Sequence, residues 1–313
     1  MFGFRKERHG RIRKIYFLSR KICEYAKPRT EKEIADRALQ DRLEEAFWED
    51  DSFGIDASAG DGVIVSLTSF GERAKRVHIT LQSIFEQTEK AASVVLWLDE
   101  GEFTRGNLPE GIVRAQKRGL VVGFYRNLRS YMKIIPTLVT YPDRSIVTID
   151  DDVMYPSDLL AGLLRHHERT PRCVLAYRAH QITFDEAGRV NAYLDWRHCI
   201  HDQPVSCSCI VPTGVGGVLY PPGCFDDEVL NDTVFMDLCP TADDIWLKAM
   251  TLKNDTECRV VPDGNRWSEL PPFVEDTQTE CLATINVKKG NDVQFKNVFD
   301  HYDLWHKLTR SPH

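Results

Sequence analysis

Residues 145–153 read SIVTIDDDV, a run rich in β-branched side chains that breaks off in three consecutive aspartates. Such a run predicts a buried strand, and its abrupt end sets Asp150, Asp151 and Asp152 at that strand's carboxyl end. The same texture extends upstream. VIVSLTSF (63–70), SVVLWLDE (93–100) and LVVGFYR (120–126) are further apolar runs, separated by helical patterns around 74–87, 109–118 and 130–140. Alternating β and α elements of this length predict a parallel sheet with right-handed crossovers and a ligand crevice at the carboxyl ends of its strands. Downstream the pattern is less regular: a helix at 157–169, a strand CVLAYRA (173–179), a hairpin around QITFDEAGRVNAYLDW (181–196), a glycine-rich turn and a helix opening at Thr241. The second half is expected to add antiparallel strands and loops over the crevice.

The 313 residues are 42% hydrophobic and 28% charged, a globular composition that excludes disorder, collagen and coiled coil. A net charge of −7 argues against a general nucleic-acid binder. That charge is unevenly spread: residues 1–30 carry a balance of +8, which leaves −15 for the rest. Within RIRKIYFLSRKICEYAKP (11–28), Ile12, Ile15, Tyr16, Ser19, Ile22, Cys23 and Ala26 fall at helical spacing among Arg11, Arg13, Lys14, Arg20 and Lys21. The spacing predicts a basic amphipathic helix, lying either on an anionic membrane surface or against the chain's own acidic domain. A second helix is expected over 31–49 and a Gly, Ser and Asp linker over 50–62. The chain thus divides into a basic N-terminal helical extension with linker, 1–60, and a catalytic domain, 61–313. No run approaches the roughly 20 apolar residues that span a bilayer. Nine cysteines without an apolar leader suggest a reduced, cytoplasmic setting. His198, Cys199, His201, Cys207 and Cys209 crowd into twelve residues, but their spacing departs from that of a zinc site, so semi-buried thiols are expected.

Three adjacent carboxylates repel one another, and a hard divalent cation, Mg²⁺ or Mn²⁺, relieves the repulsion while keeping positions open for a diphosphate. The alternative is an acidic cap for the following helix, helped by Ser157 or Asp158. Lys133, with Arg129 behind it, precedes the aspartates and would offset a diphosphate's charge. PTGVGGVLYPPG (212–223) holds four glycines and three prolines, a tight loop over which a ligand can approach the backbone at Gly216 and Gly217. It lacks the Lys and Ser/Thr of a P-loop. TADDIWLKAM (241–250) opens a helix with Asp243 and Asp244, where Thr241 can cap and the helix dipole favours carboxylates. Trp196 and Trp246 suit either a sugar platform or the core.

VTIDDDVMYP resembles the D-x-D segment of GT-A glycosyltransferases, and VIVSLTSFGERAKRVHITLQSIFEQT with the following VVLWLDE resembles the opening of family 2-like bacterial glycosyltransferases. The likeness spans about residues 62–305. It implies a Rossmann-like mixed, mainly parallel sheet flanked by helices, and an inverting, hexosyltransferase-like enzyme. A sugar would pass from a nucleotide-sugar donor to a hydroxyl of a glycan or lipid-linked acceptor. By the same resemblance Thr68 and Ser69 lie near the nucleotide and Asp99 near the base or ribose. Asp150 and Asp151 border the donor, Asp152 and Asp150 hold the metal, and the glycine-rich loop lies beneath both sugars. Asp244 is the base, with Asp243 orienting the acceptor. A histidine often completes such a metal site, and His301 or His306 stands in place for it. The resembled enzymes assemble bacterial surface polysaccharide or lipopolysaccharide, which suits a cytoplasmic protein peripheral to the inner membrane face. Two competing expectations are a sugar nucleotidyltransferase, which wants a glycine-rich basic loop after its first strand, and a non-catalytic carbohydrate-binding scaffold.

Overall fold

The structure is a computed structural model. It describes residues 4–9, 12–17, 20–26, 28–200, 207–262, 271–275, 277 and 290–308. Two compact units are present, Met1–Arg42 and Leu43–His313.

The small unit corrects the expected basic helix. Residues 4–26 form three antiparallel strands in sequence order, β1 (Phe4–His9), β2 (Ile12–Phe17) and β3 (Arg20–Ala26). Isoleucine, tyrosine and phenylalanine favour strands, and the backbone register pairs position 14 with position 7 on one side and position 24 on the other. The extension is helical only further on, where α1 (Glu31–Glu49) forms as its sequence predicts. Thr30 and Glu33 close a reciprocal capping box at its start: Glu33 N donates to Thr30 Oγ1 at 3.2 Å and Thr30 N donates to Glu33 Oε2 at 2.7 Å. The last two turns of α1 belong to the large unit, where Phe47 is fully buried.

The large unit is a mixed α/β, Rossmann-like structure. Its first half follows the predicted order: β4 (Ile64–Thr68), α2 (Val77–Phe85), β5 (Ser93–Asp99), α3 (Glu110–Lys117), β6 (Leu120–Tyr125), α4 (Ile135–Thr140) and β7 (Ile146–Thr148). Then come α5 (Leu159–Arg169), β8 (Val174–Ala176), β9 (Ala179–Gln181), β10 (Arg197–Ile200), β11 (Ile210–Pro212), β12 (Val218–Tyr220), α6 (Asp232–Leu238), α7 (Asp243–Lys253), β13 (Cys258–Val260) and α8 (Asn291–His301). Seven strands make one sheet in the order β13-β8-β12-β7-β4-β5-β6. All run parallel except β12, which is antiparallel to both of its neighbours. A smaller antiparallel sheet, β10-β9-β11, follows the end of β8, and the bridge Phe184↔Val190 marks the predicted hairpin.

Both faces of the large sheet are buried, as continuous apolar strands require. Alternate residues serve opposite layers: Val94, Leu96 and Leu98 pack with α2, α3 and α5, whereas Val95 and Trp97 pack with α4, α7 and α8. From β4 the chain winds outward through β5 and β6, then returns to place β7 on the other side of β4. The direction of winding therefore reverses between β4 and β7, and in such sheets ligands bind at the carboxyl ends of the strands flanking that reversal.

Candidate functional site

Ser69 leaves β4 at the reversal point, and the three aspartates leave β7 beside it. Ile149 N still donates to Ser66 O at 3.0 Å, so the strands stay paired up to the residue before Asp150. Antiparallel β12 brings the glycine loop to the same edge, because Val218 pairs with Thr148 and the loop immediately precedes it. The start of α7 supplies Asp243 and Asp244. With Lys133 ahead of α4, five separate chain segments thus bring carboxylates, a lysine and a glycine loop together.

The aspartates play different parts. Asp151 and Asp152, each 6% exposed, turn toward Arg73 in the turn after β4. Arg73 Nη2 pairs with both carboxylates, at 2.7 Å from Asp152 Oδ2, while Ser69 Oγ donates to Asp151 Oδ2 at 2.5 Å. Burial raises the Asp151 carboxyl above its ordinary value, with Arg73 and Ser69 opposing that rise. Thr80 Oγ1 also donates to the Asp151 carbonyl at 2.9 Å, and Val274 N donates to the Asp152 carbonyl at 2.8 Å. Asp151 and Asp152 therefore clamp the ends of β4 and β7 together. Asp150 is more open: its N–H donates to Tyr155 Oη at 2.9 Å, and its Oδ1 accepts from Lys133 Nζ at 2.8 Å.

Lys133 is buried just ahead of α4, with Asp243 Oδ2 also at 3.3 Å from Nζ. Burial works against the ammonium, but Asp150, Asp243 and Asp244 outweigh it and hold its pKa well above the ordinary lysine range. Gly214 makes room, since a Cβ there would sit 2.6 Å from Nζ. Its N–H donates to Asp244 Oδ1 at 3.2 Å. Burial first, then the charge of Asp243, push the Asp244 carboxyl up to about 7. Gly216 lies against Arg178, and Gly217 takes a φ of +78° that favours glycine. Tyr193, in the connection between β9 and β10, is pushed up to about 12 by burial and by Asp244.

The structure brings Ser69, Lys133, Asp150, Asp151, Asp152, Asp243 and Asp244 to one end of the sheet, together with the loop that holds Gly216 and Gly217. Thr68 and Asp99 stand at the carboxyl ends of β4 and β5 with local partners: Thr68 Oγ1 donates to Trp97 O at 2.9 Å, and Asp99 accepts from Asn127 Nδ2 at 2.7 Å. His301 is not brought to the carboxylates. It is exposed in the last turn of α8, beside Tyr302 and a shallow pocket along α6. His306 is exposed in the turn beyond it. Arg129 Nη1 donates to Pro240 O at 3.3 Å, three residues ahead of Asp243. Trp196 and Trp246 are core residues, 5% and 0% exposed. His201 of the cysteine-rich stretch lies outside the described residues, and Cys199 Sγ accepts from Arg178 Nη2 at 2.8 Å. Sequence reasoning missed Arg73. Its signal was a basic residue five positions after a strand's end, a pattern that solvated arginines share.

The carboxylates were expected to hold Mg²⁺ or Mn²⁺, and hard oxygens suit either ion. Their placement does not fit one: Asp150 and Asp243 surround the Lys133 ammonium, Asp151 and Asp152 share Arg73, and the expected histidine is elsewhere. Among the described residues, no group of three or more His, Cys, Asp or Glu side chains is placed to hold a metal ion.

No family model matches the sequence, and no curated protein matches it. Among solved structures, the mannosyltransferase PcManGT from Pyrobaculum calidifontis, in complex with GDP-Man and Mn²⁺, is similar at 13% identity and a TM-score of 0.49, covering 87% of this chain and 76% of its own. CMP:2-keto-3-deoxy-manno-octonic acid synthetase complexed with CTP is similar at 10% identity and a TM-score of 0.42, covering 74% of this chain and 99% of its own. No helix among the described residues is long and apolar enough to cross a membrane.

Proposed function

We propose that the chain is a nucleotide-sugar-dependent glycosyltransferase that inverts the anomeric centre, with Asp244 as its base. The observation that carries this reading is the convergence, at the sheet's reversal point, of Asp150, Asp243, Asp244 and Lys133 under a glycine loop. Asp244 combines a carboxyl raised to about 7 with a position at the edge of the crevice, and a base near neutrality is what deprotonation of a hydroxyl needs. Its Oδ1 is oriented by Gly214 N. In the reaction, Asp244 takes the acceptor's hydroxyl proton as that oxygen forms a bond to the anomeric carbon. The bond from that carbon to the diphosphate oxygen breaks, and the nucleoside diphosphate leaves with its electron pair. Displacement from the opposite face inverts the centre.

Ser69, Asp99 and Asp150, at the ends of neighbouring strands, are the residues we assign to the donor, with Thr68 beside them. Gly216 and Gly217 let the sugars approach the backbone. The acceptor is a glycan or lipid-linked hydroxyl of surface polysaccharide or lipopolysaccharide assembly, and the excess positive charge of residues 1–30 would draw the cytoplasmic protein to an anionic membrane face. We keep the functional division at residues 60/61 as part of this proposal, downstream of the boundary between the compact units at Arg42 and Leu43.

A sugar nucleotidyltransferase is the second reading. The turn after β4 carries the basic residue it needs, but Arg73 is engaged by Asp151 and Asp152. Proton NMR of the product from a panel of nucleotide sugars and glycan acceptors tests the proposal. A transferred sugar of inverted configuration supports it; a retained configuration, or nucleotide-sugar synthesis from a nucleoside triphosphate, overturns it.

A further inference from the structure

The carboxylates at the reversal point are balanced by a cation that the chain itself supplies. The Lys133 side chain is 9% exposed, and its Nζ lies 2.8 Å from Asp150 Oδ1 and 3.3 Å from Asp243 Oδ2. Asp244 acts on the same ammonium. The missing side chain at Gly214 makes the approach feasible, since a Cβ would meet Nζ at 2.6 Å. Arg73 serves Asp151 and Asp152 separately. A divalent ion gathers several oxygen ligands around one point, and here that point holds an ammonium.

We propose that Lys133 is the built-in cation of this crevice, standing among Asp150, Asp243 and Asp244 where a divalent ion would otherwise bind, so that a nucleoside diphosphate binds without metal. The ligand in this proposal rests on the nucleotide-sugar reading above, whereas the geometry does not. A compact ammonium meets phosphate as a point charge, and a chelator cannot remove it. Taking the side chain away would leave hard carboxylate oxygens facing a common space, the donors that Mn²⁺ and Mg²⁺ select. The variant should therefore acquire a metal site that the wild-type protein lacks.

Two measurements test this on the full chain. Electron paramagnetic resonance of free Mn²⁺ reports metal binding to wild type, Lys133→Met and Lys133→Arg. Calorimetry reports the binding of UDP, GDP and CDP in chelator and in Mn²⁺. The wild type and Lys133→Arg should show no Mn²⁺ site tighter than about 1 mM, and Lys133→Met should bind one Mn²⁺ at least about tenfold more tightly. The nucleotide that binds wild type should do so with affinities in chelator and in Mn²⁺ that agree within about threefold. A tight Mn²⁺ site in the wild type, or nucleotide binding there only with Mn²⁺, overturns the proposal. If no nucleotide binds under either condition, the nucleotide-sugar reading fails, while the Mn²⁺ titrations still decide the role of Lys133. Should Lys133→Met fail to fold, the wild-type titrations decide it alone.

Discussion

Asp244 and Arg73 occupy the same edge of the sheet and have opposite consequences for stability. The Asp244 carboxyl is raised from 3.8 to about 7, so the folded chain holds that proton more tightly than the unfolded chain does. Its contribution to stability is therefore full below about pH 4 and is lost as pH rises through about 7. Asp244→Asn removes this cost, so it should raise the unfolding midpoint at pH 8 while lowering turnover by about 10²–10⁴-fold. Thermal unfolding and steady-state kinetics on the same preparation check both effects. Wild-type turnover should fall about tenfold per pH unit below about 7, and a rate flat from pH 5 to 8 would contradict the assignment. Arg73→Ala leaves two buried carboxylates without their shared counter-ion and should cost about 3–5 kcal/mol by denaturant unfolding. The acidic residues could be read from the sequence because three aspartates follow an apolar run. Arg73 could not, because its partners lie 78 or more residues away and only the fold brings them together.

At the scale of elements, β4 to β7 were legible because each is a continuous apolar run between helical patterns, the signature of strands covered on both faces. The antiparallel β12 was not, since Val218–Tyr220 is three residues long between Gly217 and Pro221. The strands of residues 4–26 were hidden because their isoleucines and tyrosine also fit a helical period, and short apolar segments leave the two periods ambiguous. The glycine loop yields a paired prediction. Gly217→Ala forces an alanine to a φ of +78° and should cost about 1–2 kcal/mol of stability. Gly214→Ala instead drives a methyl group against Lys133 Nζ, at 2.6 Å, so it should reduce nucleotide binding more than it reduces stability. Calorimetric binding and unfolding of the two variants separate the effects, and equal losses of binding would contradict the distinction.

For the whole molecule, the chain builds a large unit with its own two-faced core and a small unit that carries the excess positive charge. Deleting residues 1–30, ahead of α1, should leave the large unit's unfolding midpoint within about 2 °C of the full chain's. The same deletion should abolish co-sedimentation with anionic liposomes if the basic strands provide the membrane attraction; unchanged sedimentation would remove that part of the account. The central claim is that the reversal point between β4 and β7 binds a nucleoside diphosphate. A thermal-shift panel of UDP, GDP, CDP, TDP and their common sugars, on wild type and Asp150→Ala, tests it most directly. One nucleotide should raise the wild-type midpoint by at least about 3 °C at saturation and leave Asp150→Ala unmoved; no shift with any nucleotide, or an equal shift in the variant, would contradict the site.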